Sequence, residues 1–360
     1  DGVSALTDLL DYDAVDDLYT NNVTGAEELD DEELLAEVNR IRIAAVRGLA
    51  EIGSASAASP LHESAYGEGG AGPSGEDGFI AEQNARFREE VIAALGNLNV
   101  VEDEDRIEVL TMLEHGVVDP DPGVRSAAAG AIANLHLFKA NLSLNQLSRD
   151  EVPTVRAAAV QAITTIAGYY QDTYLEALRL EDKEAAELAL SKYETLTDST
   201  QKILIKALDD NEPAVRIAAA RGLRRFDDLA VIEPLVERLD DANERFRIAA
   251  LETLTQFTAP KFVDETVAQC GEELTDRGPA NAQKRMMAAL VLGRLSRGAE
   301  QLVKALEYED EFWFVKLQLI NALGNIGEEG HLDIIREYLD DPDLDVAKAA
   351  VMAVGQLGGQ

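Results

Sequence analysis

The residues that could do chemistry are few. Four histidines, His62, His115, His136 and His331, are scattered along the 360-residue chain, and no two stand three or four positions apart. Such spacing would put two imidazoles on one helix face to hold a metal ion, so no metal site is expected. The lone cysteine, Cys270, has no partner for a disulfide or a thiolate cluster. Gly67-Glu68-Gly69-Gly70-Ala71-Gly72 matches the dinucleotide fingerprint in letters alone, because the strand that should lead into the phosphate-binding turn is missing. Asp341-Pro342-Asp343-Leu344-Asp345 begins like a calcium loop but lacks its glycine and closing glutamate, and reads as a capped turn. Neither a phosphate loop nor a nucleophile elbow is present. The expectation is a chain with no catalytic residues and no cofactor.

Charge says more. There are 68 acidic residues against 32 basic ones, a net charge of −36, and phosphate backbones need a basic surface. Nucleic-acid binding is therefore excluded. Nothing approaches the roughly 20 apolar residues of a spanning helix, so no membrane insertion is expected, and the location is expected to be cytoplasmic. Lysine is scarce, 10 against 22 arginines. At about 1 M salt the Debye length falls to about 3 Å and carboxylate repulsion fades. The balance resembles that of proteins from salt-accumulating microbes.

Within this acidity lie two basic stretches. Arg277 to Ala299 carries five basic residues and no carboxylate, and Arg216 to Arg247 carries seven arginines. Guanidinium groups suit carboxylate or phosphate. Arg221, Arg224, Arg225, Arg285, Arg294 and Arg297 are thus candidates for binding a protein partner with an acidic or phosphorylated surface. Trp313, in Phe312-Trp313-Phe314, is a candidate aromatic anchor for the same partner.

The elements that must position these residues repeat along the chain. Val124-Arg125-Ser126-Ala127-Ala128 returns as Val155-Arg156-Ala157-Ala158-Ala159, Val215-Arg216-Ile217-Ala218-Ala219 and Phe246-Arg247-Ile248-Ala249-Ala250, with an earlier copy at Ile41-Arg42-Ile43-Ala44-Ala45. A small or apolar residue follows each arginine at three, seven and ten positions, one face of an α-helix. Weaker copies sit at Arg88, Ala186, Arg285, Lys316 and Ala347, and the ten anchors are separated by 46, 37, 31, 30, 30, 31, 38, 31 and 31 residues. Acidic turns such as Asp240-Asp241 precede the anchor helices and cap them. Pro122, Pro153 and Pro213 fall in first-turn positions, where a missing N–H costs little. Residues 1–37 lack the anchor pattern and are expected to form an acidic segment or partial capping repeat before an array over 38–360. The longest interval contains a Gly/Ser/Ala-rich stretch, 53–78, expected to be a flexible insertion. Shorter insertions are expected between Arg88 and Arg125, around 137–148, and before Arg285.

The Asp-rich turn, the Val-Arg-x-Ala-Ala start and endings such as Ala322-Leu323-Gly324-Asn325-Ile326-Gly327 resemble the HEAT-like repeats of the short, phycobilisome-lyase type. The resemblance runs from about Arg40 to the end of the chain. It implies an all-α fold, a right-handed α-solenoid of about ten stacked helical hairpins whose second helices line a concave face. It also implies that Arg42, Arg125, Arg156, Arg216 and Arg247 are structural anchors that reach turn aspartates, for instance Arg216 to Asp209 or Asp240. The function it implies is a non-catalytic scaffold or adaptor binding a protein on the concave face, in signalling or taxis of a halophilic archaeon. The alternative is a subunit of a bilin (phycocyanobilin) lyase. A third reading, a structural domain of a larger protein, is suggested by a chain that starts at Asp1 without Met. A HEAT-like hydroxylase family holds two irons with repeated His-Glu pairs; His62-Glu63 is the sole such pair here, which sets that activity aside.

Overall fold

The computed structural model describes residues 2–67, 78–226, 228–308 and 311–357. Residues 68–77, with most of the Gly67–Gly72 fingerprint, lie outside the described residues. The chain forms two compact units, residues 1–203 and 204–360. In the first lie α1 (Gly2–Thr7), α2 (Tyr12–Asn22), α3 (Asp31–Ile52), α4 (Ala58–Tyr66), α5 (Gly78–Leu95), α6 (Asp103–Val117), α7 (Pro122–Asn134), α8 (Asn141–Leu147) and α9 (Pro153–Arg179), and α10 (Lys183–Ala207) begins there. The second holds α11 (Pro213–Leu223), α12 (Ile232–Val236), α13 (Glu244–Gln256), α14 (Pro260–Glu273), α15 (Ala282–Leu295), α16 (Ala299–Leu306), α17 (Trp313–Ile326), α18 (Leu332–Arg336) and α19 (Leu344–Leu357). No strand occurs among the described residues. The fold is an all-α array of HEAT-type repeats.

All ten anchors fall on helices, and the spacing that marks them is the packing stripe. Val124, Ala128 and Ile132 of α7 are buried, as are Val155, Ala159 and Ile163 of α9, Val215, Ala219 and Leu223 of α11, and Phe246, Ala250 and Leu254 of α13. Each buried Ile or Leu stabilises by about 1.5–3 kcal/mol relative to exposure. In the first unit the anchor helices α3, α5, α7 and α9 pack side by side, with α4, α6 and α8 behind them. In the second unit α11, α13, α15, α17 and α19 form the equivalent row.

Helix boundaries follow local chemistry. The helices at Pro122, Pro153 and Pro213 each start on the proline, and Asp121 and Asn243 accept N–H bonds from the first turns of α7 and α13. At the other end His136, Glu181 and Ser296 take left-handed backbone (φ 50, 59 and 51). In each case the next residue's N–H reaches back to close the helix, Leu137 to Ile132, Asp182 to Ala177 and Arg297 to Leu292.

Two expectations need correction. Residues 55–66 of the expected flexible insertion are a 3-10 turn followed by α4, with Ala57, Ala58, Leu61 and Ala65 buried. Alanines at helical spacing pack there, whereas composition alone reads them as linker. The boundary drawn at 37/38 falls inside α3, on which α1 and α2 pack through residues such as Leu10 and Val15. The helices α9 and α10 are the longest described, at 27 and 25 residues.

Candidate interaction surface

The anchor arginines form a ladder inside each unit. Arg125 Nε and Nη2 grip Asp150 at 2.7 and 2.9 Å, while its Nη1 donates to the carbonyls of Asp119 and Pro120 in its own turn. Asp150 Oδ1 also accepts the Val152 N–H, so one carboxylate shapes its turn and holds the preceding helix. The same device joins Arg88 to Asp119 and Arg216 to Asp241. Arg156 and Arg247 bond their own turn carbonyls in the same way. Burial works against the charge of Asp150, but the Arg125 bond, the Val152 N–H and the charges of Arg125 and Arg156 outweigh it and hold the carboxyl below its usual range. The expected partner of Arg216 is corrected: Asp241 takes it, and Asp209 instead holds Arg238. The Asp241 turn precedes the next anchor helix, and its backbone aims the carboxylate back at α11.

Arg42 departs from this scheme. It is fully buried, donates to Leu10 O, Asn39 Oδ1 and Ser64 O, and lies 3.8 Å over the Phe87 ring. Burial pushes its pKa down to about 10.

Arg285 was expected on a binding surface and is not there. It is 1% exposed and grips Glu311 with two 2.7 Å bonds. Its position in the repeat makes it an anchor, and the acidic turn ahead of α17 supplies its partner. Arg277 likewise lies over Tyr308 and forms an ion pair with Glu311, and Lys284 pairs with Glu273. What remains of the basic stretches on the surface is Arg221 and Arg224 at the end of α11, Arg245 at the start of α13, and Arg294 and Arg297 at the end of α15, with Arg225 half-buried beside them. Arg224 approaches Gln256 at 3.4 Å.

The row of anchor helices is parallel. Arg285 pairs ahead of α17 at the amino ends, and a Cβ built on Gly293 would lie 2.9 Å from Ala322 Cα near the carboxyl ends. Arg221, Arg224, Arg294 and Arg297 therefore share the carboxyl edge of the row in the second unit. Trp313 is 50% exposed but opens α17, on the opposite edge, roughly 15 Å away along the helix axis at 1.5 Å per residue. The tryptophan and these arginines do not form one patch.

Two features of the first unit escaped the sequence. A groove of about 590 Å³ is lined by residues of α3 and α5 including Arg40, Ile43, Arg47, Gln83 and Arg86. His62 on α4 and His115 on α6 meet, Nε2 to Nδ1 at 3.1 Å, with Tyr66 stacked on His62. The two histidines are 53 residues apart, beyond any within-helix motif. The helical register of α4 and α6 carries the signal, and α4 was read as a loop. The Tyr66 hydroxyl bonds Asp119, tying the pair to the ladder. No group of three or more metal-ligating side chains occurs among the described residues, and no described helix is long and apolar enough to cross a membrane.

Residues 201–276 and 299–360 match the HEAT repeats family, and residues 41–65 match the PBS lyase HEAT-like repeat. The chain is a HEAT-repeat protein. Over 190 residues it is 26% identical to the phycocyanobilin lyase subunit alpha of Picosynechococcus sp.; the match takes in 52% of this chain and 58% of that one, less than two thirds of the relative's length. The X-ray structure of the Escherichia coli protein YibA is similar over 96% of both chains, at 18% identity and a TM-score of 0.43. The crystal structure of Kap121p bound to Ste12p is similar over 96% of this chain and 41% of that one, at 16% identity and a TM-score of 0.46.

Proposed function

We propose that the protein is a non-catalytic scaffold that binds an acidic or phosphorylated segment of a protein partner. One observation carries this reading: Arg221, Arg224, Arg294 and Arg297 stand exposed on one edge of the second unit while Arg216, Arg238, Arg277, Lys284 and Arg285 of the same basic stretches are held by internal acids. In a chain of charge −36, exposed guanidinium groups grouped on one edge favour a partner of opposite charge. Arginine at a helix carboxyl end also offsets the helix dipole, and the test separates the two roles. Binding of acidic and phosphoserine peptides is measured for the wild type and for a chain with all four arginines changed to Gln. The scaffold reading expects saturable binding that the folded variant loses. Equal binding by both, or none by either, removes it.

A second reading, a bilin-lyase subunit, is favoured by the lyase relative. Incubation with phycocyanobilin followed by gel filtration discriminates: a lyase subunit carries pigment absorbance with the protein, and a scaffold elutes colourless. The acidic composition supports a salt-adapted host, and a signalling or taxis role there follows from analogy with HEAT-like proteins alone.

A further inference from the structure

We propose that His62 and His115 form a binding site for one d-block divalent ion, of the Cu²⁺ or Zn²⁺ class, that clips α4 to α6. The two nitrogens lie 3.1 Å apart. Cis ligands on a square-planar ion lie about 2.8 Å apart, and two imidazoles on a tetrahedral ion about 3.3 Å, for metal–nitrogen bonds of about 2.0 Å. The observed spacing falls between these, so small ring rotations admit the ion. His62 is half-buried and stacked on Tyr66, which fixes its plane, while His115 is exposed and its ring can turn to meet the metal.

Without metal, one imidazole N–H donates to the other nitrogen. On binding, that proton moves to the far nitrogen of the same ring and both facing lone pairs go to the ion. No proton is lost from a neutral pair. Two nitrogen donors disfavour Ca²⁺ and Mg²⁺, which take oxygen ligands. Water completes the coordination, and the field of a chain of charge −36 concentrates cations around it.

The test uses the whole chain in molar KCl with excess Mg²⁺ to occupy carboxylates. Cu²⁺ is titrated and followed by electron paramagnetic resonance, and Zn²⁺ by calorimetry. The wild type is expected to bind one equivalent with hyperfine coupling to two nitrogens. His62→Gln and His115→Gln should each leave one nitrogen and weaken binding by more than about tenfold, since even indirect ligand partners are worth that much. His331→Gln should change nothing. Because His115 is exposed, His115→Gln keeps the test valid should His62→Gln misfold. No saturable site, or one that survives His115→Gln with its affinity and two-nitrogen spectrum intact, overturns the proposal.

Discussion

Arg125 and Asp150 are held together by two bonds of 2.7 and 2.9 Å across 25 residues of sequence, while the same guanidinium ties back to the carbonyls of its own turn. One side chain thus fixes a turn, a helix start and the next repeat. Such a link uses charge for register rather than for display, which explains why arginine recurs in a strongly acidic protein.

Cutting the link should be costly because both side chains are almost buried, 12% and 10% exposed. Asp150→Asn is expected to destabilise the first unit by about 1.5–3 kcal/mol, the range for a hydrogen bond to a charged group. Hydrogen exchange is expected to quicken first in α7 and α9, since repeats couple mainly to their neighbours. Arg125→Lys should lose most of the same energy, because an ammonium cannot make the paired contact. Unchanged denaturation midpoints in both variants would show the link to be ornamental.

This ladder was partly legible in the sequence. The Val-Arg-x-Ala-Ala copies and the acidic turns identified the helices and the anchors. They did not say which aspartate each arginine meets, because the choice of Asp241 over Asp209 or Asp240 depends on how the turn backbone aims its carboxylate. The exposed arginine edge was half legible. Arg285 reads both as a repeat anchor, 31 residues before Lys316, and as a surface candidate; its burial against Glu311 keeps only the first reading. The His62–His115 pair was not legible: it arises from two first helices packed side by side, and those helices lack the strong motif of the second ones.

The close approach of anchor helices rests on glycine. A Cβ on Gly96 would fall 2.5 Å from Ala131 Cα, and one on Gly293 would fall 2.9 Å from Ala322 Cα. Gly96→Val is expected to force α5 and α7 apart and cost about 1–3 kcal/mol, as overpacking does. Gly130 of α7 faces open space, so Gly130→Ala should instead stabilise by up to about 1 kcal/mol through helix propensity. Chemical denaturation of the two variants checks both signs; a shift in the same direction would refute the packing account.

Acid should weaken the first unit in two steps. The lowered pKa of His62 means that the unfolded chain takes up the proton more readily, so stability is complete above the ordinary imidazole value of about 6.5 and declines as pH falls below it. His136, lowered by burial and by Arg106, acts in the same direction. The lowered pKa of Asp150 leaves its contribution intact until pH falls below about 3.9, the ordinary aspartate value. Melting temperature measured from pH 8 to 3 should therefore show a shallow loss near pH 6 and a steeper one near pH 3. His62→Gln should reduce the first step to the part that His136 contributes and leave the second.

Salt provides the widest test of the composition. Exposed pairs such as Arg179–Glu176 are screened as salt rises, but each is worth little. The ladder pairs are mostly buried and are screened far less. Against these small losses stands the mutual repulsion of a chain with net charge −36, which disappears as the Debye length shrinks from about 10 Å at 0.1 M to about 3 Å at 1 M. The repulsion term is the larger, so the melting temperature should rise by several degrees between dilute and molar KCl. A flat or falling curve would mean that the carboxylates are spaced widely enough to be harmless at low salt, and the argument for a salt-adapted host would go with it.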